Sequence, residues 1–278
     1  MRQGGEGLRT RDLGALEGPV LVFGGPCSNL QASRALFDLA ARLGIPPERR
    51  ICTGDMAGYG ADPLATVCAV LEQSGAVVAG NVERQLAVDA PDCGCGFDEG
   101  TTCEALARGW FAHARAALAG RSELLAAFAA LPDIVTFSHS GRRCAVIHGG
   151  ISDIARFLWP SSPEADFAEE IALIVEAVGP VERVIAGHAG IAFHRRIGTV
   201  DWINAGSIGL PPHDGRPFTR YIVLDGAAGV RIERLAYEHA AAARAMEEAG
   251  LGGGYAETLR TGFWPGEDVL PVELRRRR

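Results

Sequence analysis

The sequence contains no lysine, so all of its 27 basic residues are arginine. This absence excludes any phosphate site that requires a lysine, including the P-loop. The basic residues are outnumbered by 34 acidic ones, and the net charge of -7 disfavours nonspecific binding to a nucleic-acid polymer. The one basic block is Arg275–Arg278, where a solvated tail is favoured over a contact with a polyanion.

Long apolar segments and an even set of cysteines are missing as well. No run of residues reaches the apolar length of a membrane span. The polar stretch at residues 1–14 lacks the apolar core of a signal peptide. Seven cysteines, an odd number, suit a reducing compartment better than a disulfide scaffold. These features predict a soluble, cytoplasmic protein with no membrane partner.

What the sequence does have is a regular alternation of short apolar runs and helical stretches. Apolar residues make up 47% of the chain, enough for a substantial core. Buried strands are predicted at PVLVFGG (19–25), RRICTGD (49–55) and AVVAGN (76–81), with helical stretches between them. This alternation predicts an α/β layered sheet.

The domain organisation follows from the same pattern. Residues 1–18 are rich in Gly, Arg and Glu and are expected to be loosely ordered. Residues 19–250 are expected to form one domain, with a helical insertion at about 99–130. Residues 251–278 begin in a glycine-rich turn and are expected to be an irregular tail.

Four polar residues come directly after predicted strands: Asp55, Asn81, His148 and His188. The carboxyl ends of strands in open α/β sheets converge on one crevice. Each of these residues alone is more often a turn, a cap or a satisfied core group. Together they predict a cation site, and imidazole with oxygen ligands suits Zn, Fe, Mn or Ni.

The order of these motifs, GD…GN…HG…GH, resembles that of the calcineurin-like metallophosphoesterases. The resemblance runs from about Val20 to Asp225, and its closest stretches are TGDMAGYGADP (53–63), VVAGNVERQL (77–86), VIHGG (146–150), VIAGH (184–188) and WINAGSIGLPPHDGRP (202–217). It implies a four-layer αββα sandwich of two mixed β-sheets flanked by helices. It also implies hydrolysis of phosphate esters at two metals bridged by an aspartate.

The resemblance assigns roles to the four strand-end residues. Asp55 matches the bridging aspartate of the family, and Asn81, His148 and His188 match the other ligands of the second metal. That half of the family's site is complete in this sequence.

The ligands that belong only to the first metal are absent. The family's opening aspartate and histidine fall on Gly25 and Cys27, and the second histidine of its closing motif falls on Gly190. The histidine that follows the glycine–asparagine pair in the family is Val82. Every departure therefore lies on one half of the site.

The sequence accordingly predicts a phosphoesterase with about one divalent metal per chain, Mn, Zn or Fe, because the two-metal clamp is lost. A small phosphorylated molecule and a phosphoprotein are both open as substrates, and no general acid is assigned. A catalytically inactive scaffold that binds a ligand or protein is the first alternative. A mononuclear metal enzyme with non-phosphoester chemistry is the second.

The cysteines offer weaker candidates. Cys27 is a possible additional thiolate ligand, although a small buried residue is favoured there. Cys93 and Cys95 with Cys103 could form a second metal or redox site, but their spacing is not that of a zinc finger. An ordinary surface loop is favoured for that segment.

Overall fold

Two mixed β-sheets form the centre of the computed structural model, which describes residues 7–226, 229–251 and 253–276. The six-stranded sheet has, in spatial order, β1 (Thr10–Ala15), β5 (Ile134–His139), β6 (Arg142–Val146), β7 (Arg183–Ala186), β9 (Val200–Asn204) and β8 (Phe193–Ile197). The five-stranded sheet has β11 (Gly229–Leu235), β10 (Thr219–Asp225), β2 (Val20–Phe23), β3 (Arg50–Cys52) and β4 (Ala76–Val77).

Parallel pairing at the centre of each sheet directs several strand ends to one edge. Strands β2, β3 and β4 are parallel neighbours, and so are β6, β7 and β9. The outer pairs β10–β11, β2–β10, β5–β6 and β8–β9 are antiparallel. The loops that follow β3, β4, β6 and β7 therefore meet at one end of the molecule.

Helices cover the outer faces of both sheets. They are α1 (Leu30–Arg42), α2 (Pro63–Gln73), α3 (Asn81–Ala87), α4 (Thr102–Leu118), α5 (Ser122–Ala130), α6 (Glu164–Val178), α7 (His239–Glu248) and α8 (Tyr255–Thr261). Short 3-10 turns lie at Pro47–Arg49 and Val272–Leu274. Helix α6 packs on the six-stranded sheet, and the other helices contribute to the core over the five-stranded sheet. None of the helices in the described ranges is long and apolar enough to cross a membrane.

The alternation of side chains along β2 shows how the layers are joined. Val20 and Val22 belong to the core between the two sheets, while Leu21 and Phe23 belong to the core beneath the helices. Side chains of a strand point alternately to opposite faces, so a strand that is apolar at every position is buried on both. The predicted four-layer αββα sandwich is therefore confirmed.

The two chain ends are more ordered than the sequence suggested. Residues 10–15, expected to be loose, form β1, which pairs in parallel with β5 from Thr10 opposite Ile134 onward. The alternation of apolar and polar residues along β1 is weak because most of its side chains are exposed. The composition of the segment does not show that it pairs at the edge of a sheet. Residues 1–6 lie outside the described residues.

The C-terminal segment also departs from the irregular tail that was expected. Residues 255–261 form α8, whose Tyr255 and Leu259 are buried four positions apart on one helix face. The preceding glycines read as a breaker, yet Gly254 adopts a positive φ of 107° and starts the helix. Residues 277 and 278, half of the basic block, lie outside the described residues.

The layer formed by α6 gives a direct test of the packing. Phe167 on α6 is fully buried, and its ring packs edge-on against Trp202 at 5.2 Å between centroids. Phe167→Ala should lower the free energy of unfolding by about 3–5 kcal/mol because it leaves a cavity between helix and sheet. Urea unfolding followed by circular dichroism measures this value.

Val175→Ala is the matched control on the same helix, since Val175 is 36% exposed. It should change the free energy of unfolding by less than about 1 kcal/mol. Equal losses for the two variants would contradict the placement of α6 as a covering layer.

Candidate metal centre

The four predicted ligand residues come together where the two sheets meet. Asp55 lies in the loop after β3, and Asn81 is the first residue of α3, after β4. His148 follows β6 and His188 follows β7 in the other sheet. Asp55, Asn81 and His148 are buried, and His188 is partly buried.

One ring nitrogen stands at the centre of this cluster. Nε2 of His148 lies 3.0 Å from Oδ1 of Asn81, 3.2 Å from Nδ1 of His188 and 3.3 Å from Oδ2 of Asp55. Donor atoms of Asp55, His148 and His188 all lie within 4.8 Å of one another. Within the described ranges, this is the one group of three or more His, Cys, Asp or Glu that could hold a metal ion.

The hydrogen bonds behind the cluster decide which atoms offer lone pairs to it. Nδ1 of His148 is 2.7 Å from the carbonyl oxygen of Thr53, which can only accept, so Nδ1 carries the proton. In the neutral ring Nε2 then has a lone pair. Nδ2 of Asn81 donates to the carbonyl of Cys93 at 2.9 Å, which leaves Oδ1 facing the site.

Lone pairs of an imidazole, an amide and a carboxylate therefore point at a common place. Without a cation this arrangement is repulsive unless His148 takes a second proton. A ligating histidine usually donates its other N–H to a main-chain carbonyl, as His148 does to Thr53. The nitrogen and oxygen donors suit Zn, Fe or Mn, so the residues present fit a divalent metal.

The charges in the cluster point the same way. Burial alone would lower the pKa of His148, but the Asp55 carboxylate, the Thr53 carbonyl and Glu83 together raise it. Burial works against the ionised form of Asp55, yet His148 holds the pKa of that carboxyl below its usual value. Burial, followed by repulsion from His148, lowers the pKa of His188 to about 3, so its ring is neutral. The pocket thus stabilises positive charge beside Asp55 and keeps a neutral imidazole as a donor.

Backbone conformation aims the ligands. Asp55 and His188 have positive φ angles of 56° and 58°, which are costly for residues with a side chain. Gly80 and Gly187 have no room for a side chain, because a Cβ would strike Asp55 from Gly80 and Thr53 from Gly187. The glycine of the GN motif therefore lets its loop approach Asp55, and the glycine of the GH motif lets its loop approach Thr53.

Two solved structures with the same architecture match this chain, and one of them carries the family name that the motifs suggest. A metallophosphoesterase from Sphaerobacter thermophilus matches over 88% of this chain and 99% of its own, with 22% identity and a TM-score of 0.66. A hypothetical protein from Pyrococcus horikoshii matches over 88% and 98%, with 14% identity and a TM-score of 0.70. This chain has the metallophosphoesterase fold. No family model and no curated protein matches the sequence.

In this metallophosphoesterase fold, small residues and a thiol fill the side where the family's first metal would lie. A Cβ on Gly25 would come within 3.0 Å of Ser207 Oγ and 3.1 Å of Cys27 Sγ, so no aspartate fits there without a shift. Ser207 Oγ donates to the Gly25 carbonyl at 2.7 Å and accepts from the amides of Gly209 and Leu210. The loop is thereby closed around this space.

Cys27 lies in that space as a buried thiol. Burial, and then the nearby Asp55 carboxylate, raise its pKa well above the usual value. Metals bind the thiolate, so a high pKa disfavours Cys27 as a ligand. Its sulfur lies 4.0 Å from Ser207 Oγ. The suggestion that Cys27 is a further ligand stays a prediction.

The third missing ligand position is covered from the far end of the chain. A Cβ on Gly190 would lie 3.2 Å from the indole ring of Trp264. The main-chain N–H of Trp264 donates to His213 Nδ1 at 2.8 Å, and its indole N–H donates to the carbonyl of Pro211 at 2.7 Å. No motif in the sequence predicts a role for Trp264, and only the folded chain brings it to this place.

The second cysteine group is joined rather than free. Cys93 and Cys95 form a disulfide across Gly94, whose positive φ of 60° brings their Cα atoms to 5.3 Å. Cys103 is buried with a free thiol. The odd number of cysteines favoured free thiols, yet two of the seven form this local disulfide. The loop supports the candidate centre, since Asn81 Nδ2 contacts both the Cys93 carbonyl and Cys95 Sγ.

Sequence reasoning also missed a buried carboxylate behind the ligands. Glu83 is fully buried and accepts main-chain N–H bonds from Asp55 at 2.9 Å, Met56 at 2.8 Å and Gly80 at 2.9 Å. Burial, and then Asp55, raise its pKa to about 7. A Glu three positions after the N-cap residue, which is Gly80 here, is a capping signal that could have identified this residue. Glu83 therefore ties the Asp55 turn to the start of α3.

Removing this carboxylate should weaken the centre without removing a ligand. Glu83→Ala leaves four buried main-chain N–H groups, those of Asp55, Met56, Ala57 and Gly80, without this acceptor and frees the Asp55 turn. The affinity for Mn²⁺ should fall roughly 10- to 100-fold, as for other residues that orient ligands. Calorimetric titration with Mn²⁺ measures the change.

Glu83→Gln keeps one acceptor oxygen and should lose less affinity than Glu83→Ala. Glu72→Ala, on the exposed side of α2, is the control and should bind Mn²⁺ as the unmodified protein does. A folded Glu83→Ala protein with unchanged affinity would show that Glu83 does not position Asp55.

Proposed function

We propose that this protein is a metal-dependent phosphoesterase that holds one divalent cation at Asp55, Asn81, His148 and His188. The observation that carries the proposal is the convergence of donor atoms on Nε2 of His148. Mn, Zn and Fe all suit two imidazoles with two oxygen ligands. The shared fold with a metallophosphoesterase supports the reaction class.

One cation is proposed rather than two because two of the three ligand positions in the other half of the site, Gly25 and Gly190, have no side chain. The third position is Cys27, whose raised pKa disfavours the thiolate that a metal binds. With two metals, the attacking and leaving oxygens of an in-line displacement are both clamped. That clamp is missing here, so slower hydrolysis than at a two-metal centre is expected.

The chain's own residues would orient the reaction. A bound cation supplies charge that polarises a phosphoryl oxygen and lowers the pKa of a water. Asp55 stays ionised on the side that faces the open pocket, where its carboxylate would accept a hydrogen bond from the water. Hydrolysis adds the oxygen of water to phosphorus and breaks one ester P–O bond. The alcohol leaves with one proton, which the buried Val82 cannot supply.

The filled half of the site also favours a second candidate. Trp264 over Gly190 and Cys27 beside Gly25 give the surface of a ligand-binding scaffold without catalysis. Retention of Asp55, Asn81 and both histidines speaks for the metal enzyme instead. Metal content separates the two candidates.

Elemental analysis of protein purified without added metal or chelator is the test. The unmodified protein should hold about one divalent ion per chain, and His148→Ala should hold less than about a tenth of that, because the central ligand is gone. His194→Ala removes a partly exposed histidine on β8 and should keep the metal. Cys27→Ala should keep it as well.

Each other result has a defined meaning. About two ions per chain, with loss of one in Cys27→Ala, would show that the thiol rebuilds the first site and would overturn the one-metal proposal. If the protein holds no metal after soaking with Mn, Zn and Fe salts, the proposal of a metal-dependent phosphoesterase is overturned and the ligand-binding scaffold remains.

A further inference from the structure

A pocket lined largely by aromatic and apolar side chains opens beside Asp55 and His188. We name it the aromatic pocket, and its main walls are Tyr59, Phe97, Phe157, Leu210, Tyr255 and Trp264. Its volume is about 60 Å³. A closed cavity that binds benzene measures roughly 150 Å³. The aromatic pocket, which opens at one side, can therefore take no more than a single ring and leaves part of that ring outside.

The walls of the aromatic pocket are held in place by their own neighbours. Tyr59 stacks on Trp110 at 4.4 Å between centroids and meets the edge of Tyr255 at 4.9 Å. On the other side Phe157 lies 4.3 Å from the ring of His188 and stacks on Trp159 at 5.2 Å. Fixed aromatic faces favour a flat aromatic guest, because little side-chain freedom is lost on binding.

Trp264 is the wall that the altered half of the site has made possible. Its ring lies over Gly190, where a side chain would collide with it. Both of its N–H groups are bonded, to His213 and to the Pro211 carbonyl, so the ring is fixed. The place of a missing ligand is thus occupied by a rigid aromatic surface.

The charges around the aromatic pocket select the phosphate. Although every basic residue of this chain is an arginine, none of the described residues that line the pocket is one. The guanidinium group of an arginine is the usual partner for the additional charged oxygen of a phosphomonoester, because it binds two phosphate oxygens at once. Asp55 with one divalent cation leaves about one positive charge, since the histidines and Asn81 are neutral as ligands. Glu83 lies behind the Asp55 turn, bonded to main-chain N–H groups, and does not line the pocket.

We propose that the aromatic pocket takes the single-ring aryl ester group of a monoanionic phosphodiester whose phosphate lies at Asp55, Asn81, His148 and His188. This substrate class rests on the proposed function. Hydrolysis would join the oxygen of water to phosphorus and break the P–O bond to the aryl group. The phenol would leave with one proton of the water, and the other ester group would stay on a phosphomonoester.

The test is calorimetry of the Mn²⁺-loaded protein with methyl phenyl phosphate, dimethyl phosphate and phenyl phosphate at about pH 8, where a monoester is a dianion. Methyl phenyl phosphate should bind roughly 10- to 100-fold more tightly than dimethyl phosphate, because the ring leaves water. Phenyl phosphate should bind no more tightly than methyl phenyl phosphate. Equal affinities for the two diesters would overturn the proposal that the pocket binds an aryl group. Tighter binding of phenyl phosphate than of methyl phenyl phosphate would overturn the proposal that the substrate is a diester.

Variants at Trp264 connect the preference to this pocket. Trp264→Ala should reduce the advantage of methyl phenyl phosphate over dimethyl phosphate roughly 3- to 10-fold, and Trp264→Phe should restore most of it. Phe218→Ala is the control, since Phe218 is an exposed aromatic residue that does not line the pocket. An unchanged advantage in Trp264→Ala, or an equal loss in Phe218→Ala, would overturn the assignment.

Titration of metal-free protein with phenol separates this proposal from the proposed function. Phenol binding that Trp264→Ala weakens, in a protein that takes up no metal, would support the pocket as a binding site and overturn the hydrolysis. One metal per chain, with equal affinity for methyl phenyl phosphate and dimethyl phosphate, would leave the phosphoesterase proposal standing and overturn the proposal of an aryl substrate.

Discussion

The hydrogen bond between Nδ1 of His148 and the carbonyl of Thr53 joins the two sheets at the candidate centre. Thr53 follows β3 in one sheet, and His148 follows β6 in the other. The bond is buried, so its loss would leave a polar group without a partner on each side. It also fixes the proton on Nδ1 and turns Nε2 toward Asn81, Asp55 and His188. This one contact therefore contributes both to the approach of the two sheets at the candidate centre and to the chemistry of the cluster.

The close approach that this bond requires explains the glycines around it. Gly187 leaves room for the side chain of Thr53, and Gly80 leaves room for Asp55. Glu83 completes the arrangement, because its carboxylate collects the amides that the tight Asp55 turn leaves without other partners. A buried carboxylate with a pKa of about 7 is costly to ionise, and those N–H bonds offset part of the cost. The Asp55 turn is thus supported from behind by polar groups while its carboxylate faces the site.

The sequence predicted the α/β class and the four strand-end residues, whereas the four layers were implied by the resemblance to the family. Short apolar runs mark buried strands, and the carboxyl ends of strands converge in open α/β sheets, so Asp55, Asn81, His148 and His188 could be placed together. Glu83 fits a capping signal at the start of α3, but that signal does not show that its carboxylate also reaches the main-chain N–H groups of Asp55 and Met56. The strand at residues 10–15 was missed because it lies exposed at the edge of its sheet. It forms by pairing with β5 and carries no apolar pattern that would predict it.

Trp264 shows a different kind of limit. Its contact with Gly190 joins positions 74 residues apart, and no periodicity predicts such a pair. Folding brings it there through His213, whose Nδ1 accepts from Trp264 and whose Nε2 therefore donates to Glu267 at 2.8 Å. Because each nitrogen of His213 has a defined partner, the neutral ring locks the segment around Trp264 to the rim of the site. The absence of a ligand at Gly190 and the presence of an ordered C-terminal segment are thus two parts of one structural feature, since a side chain at Gly190 would displace the indole.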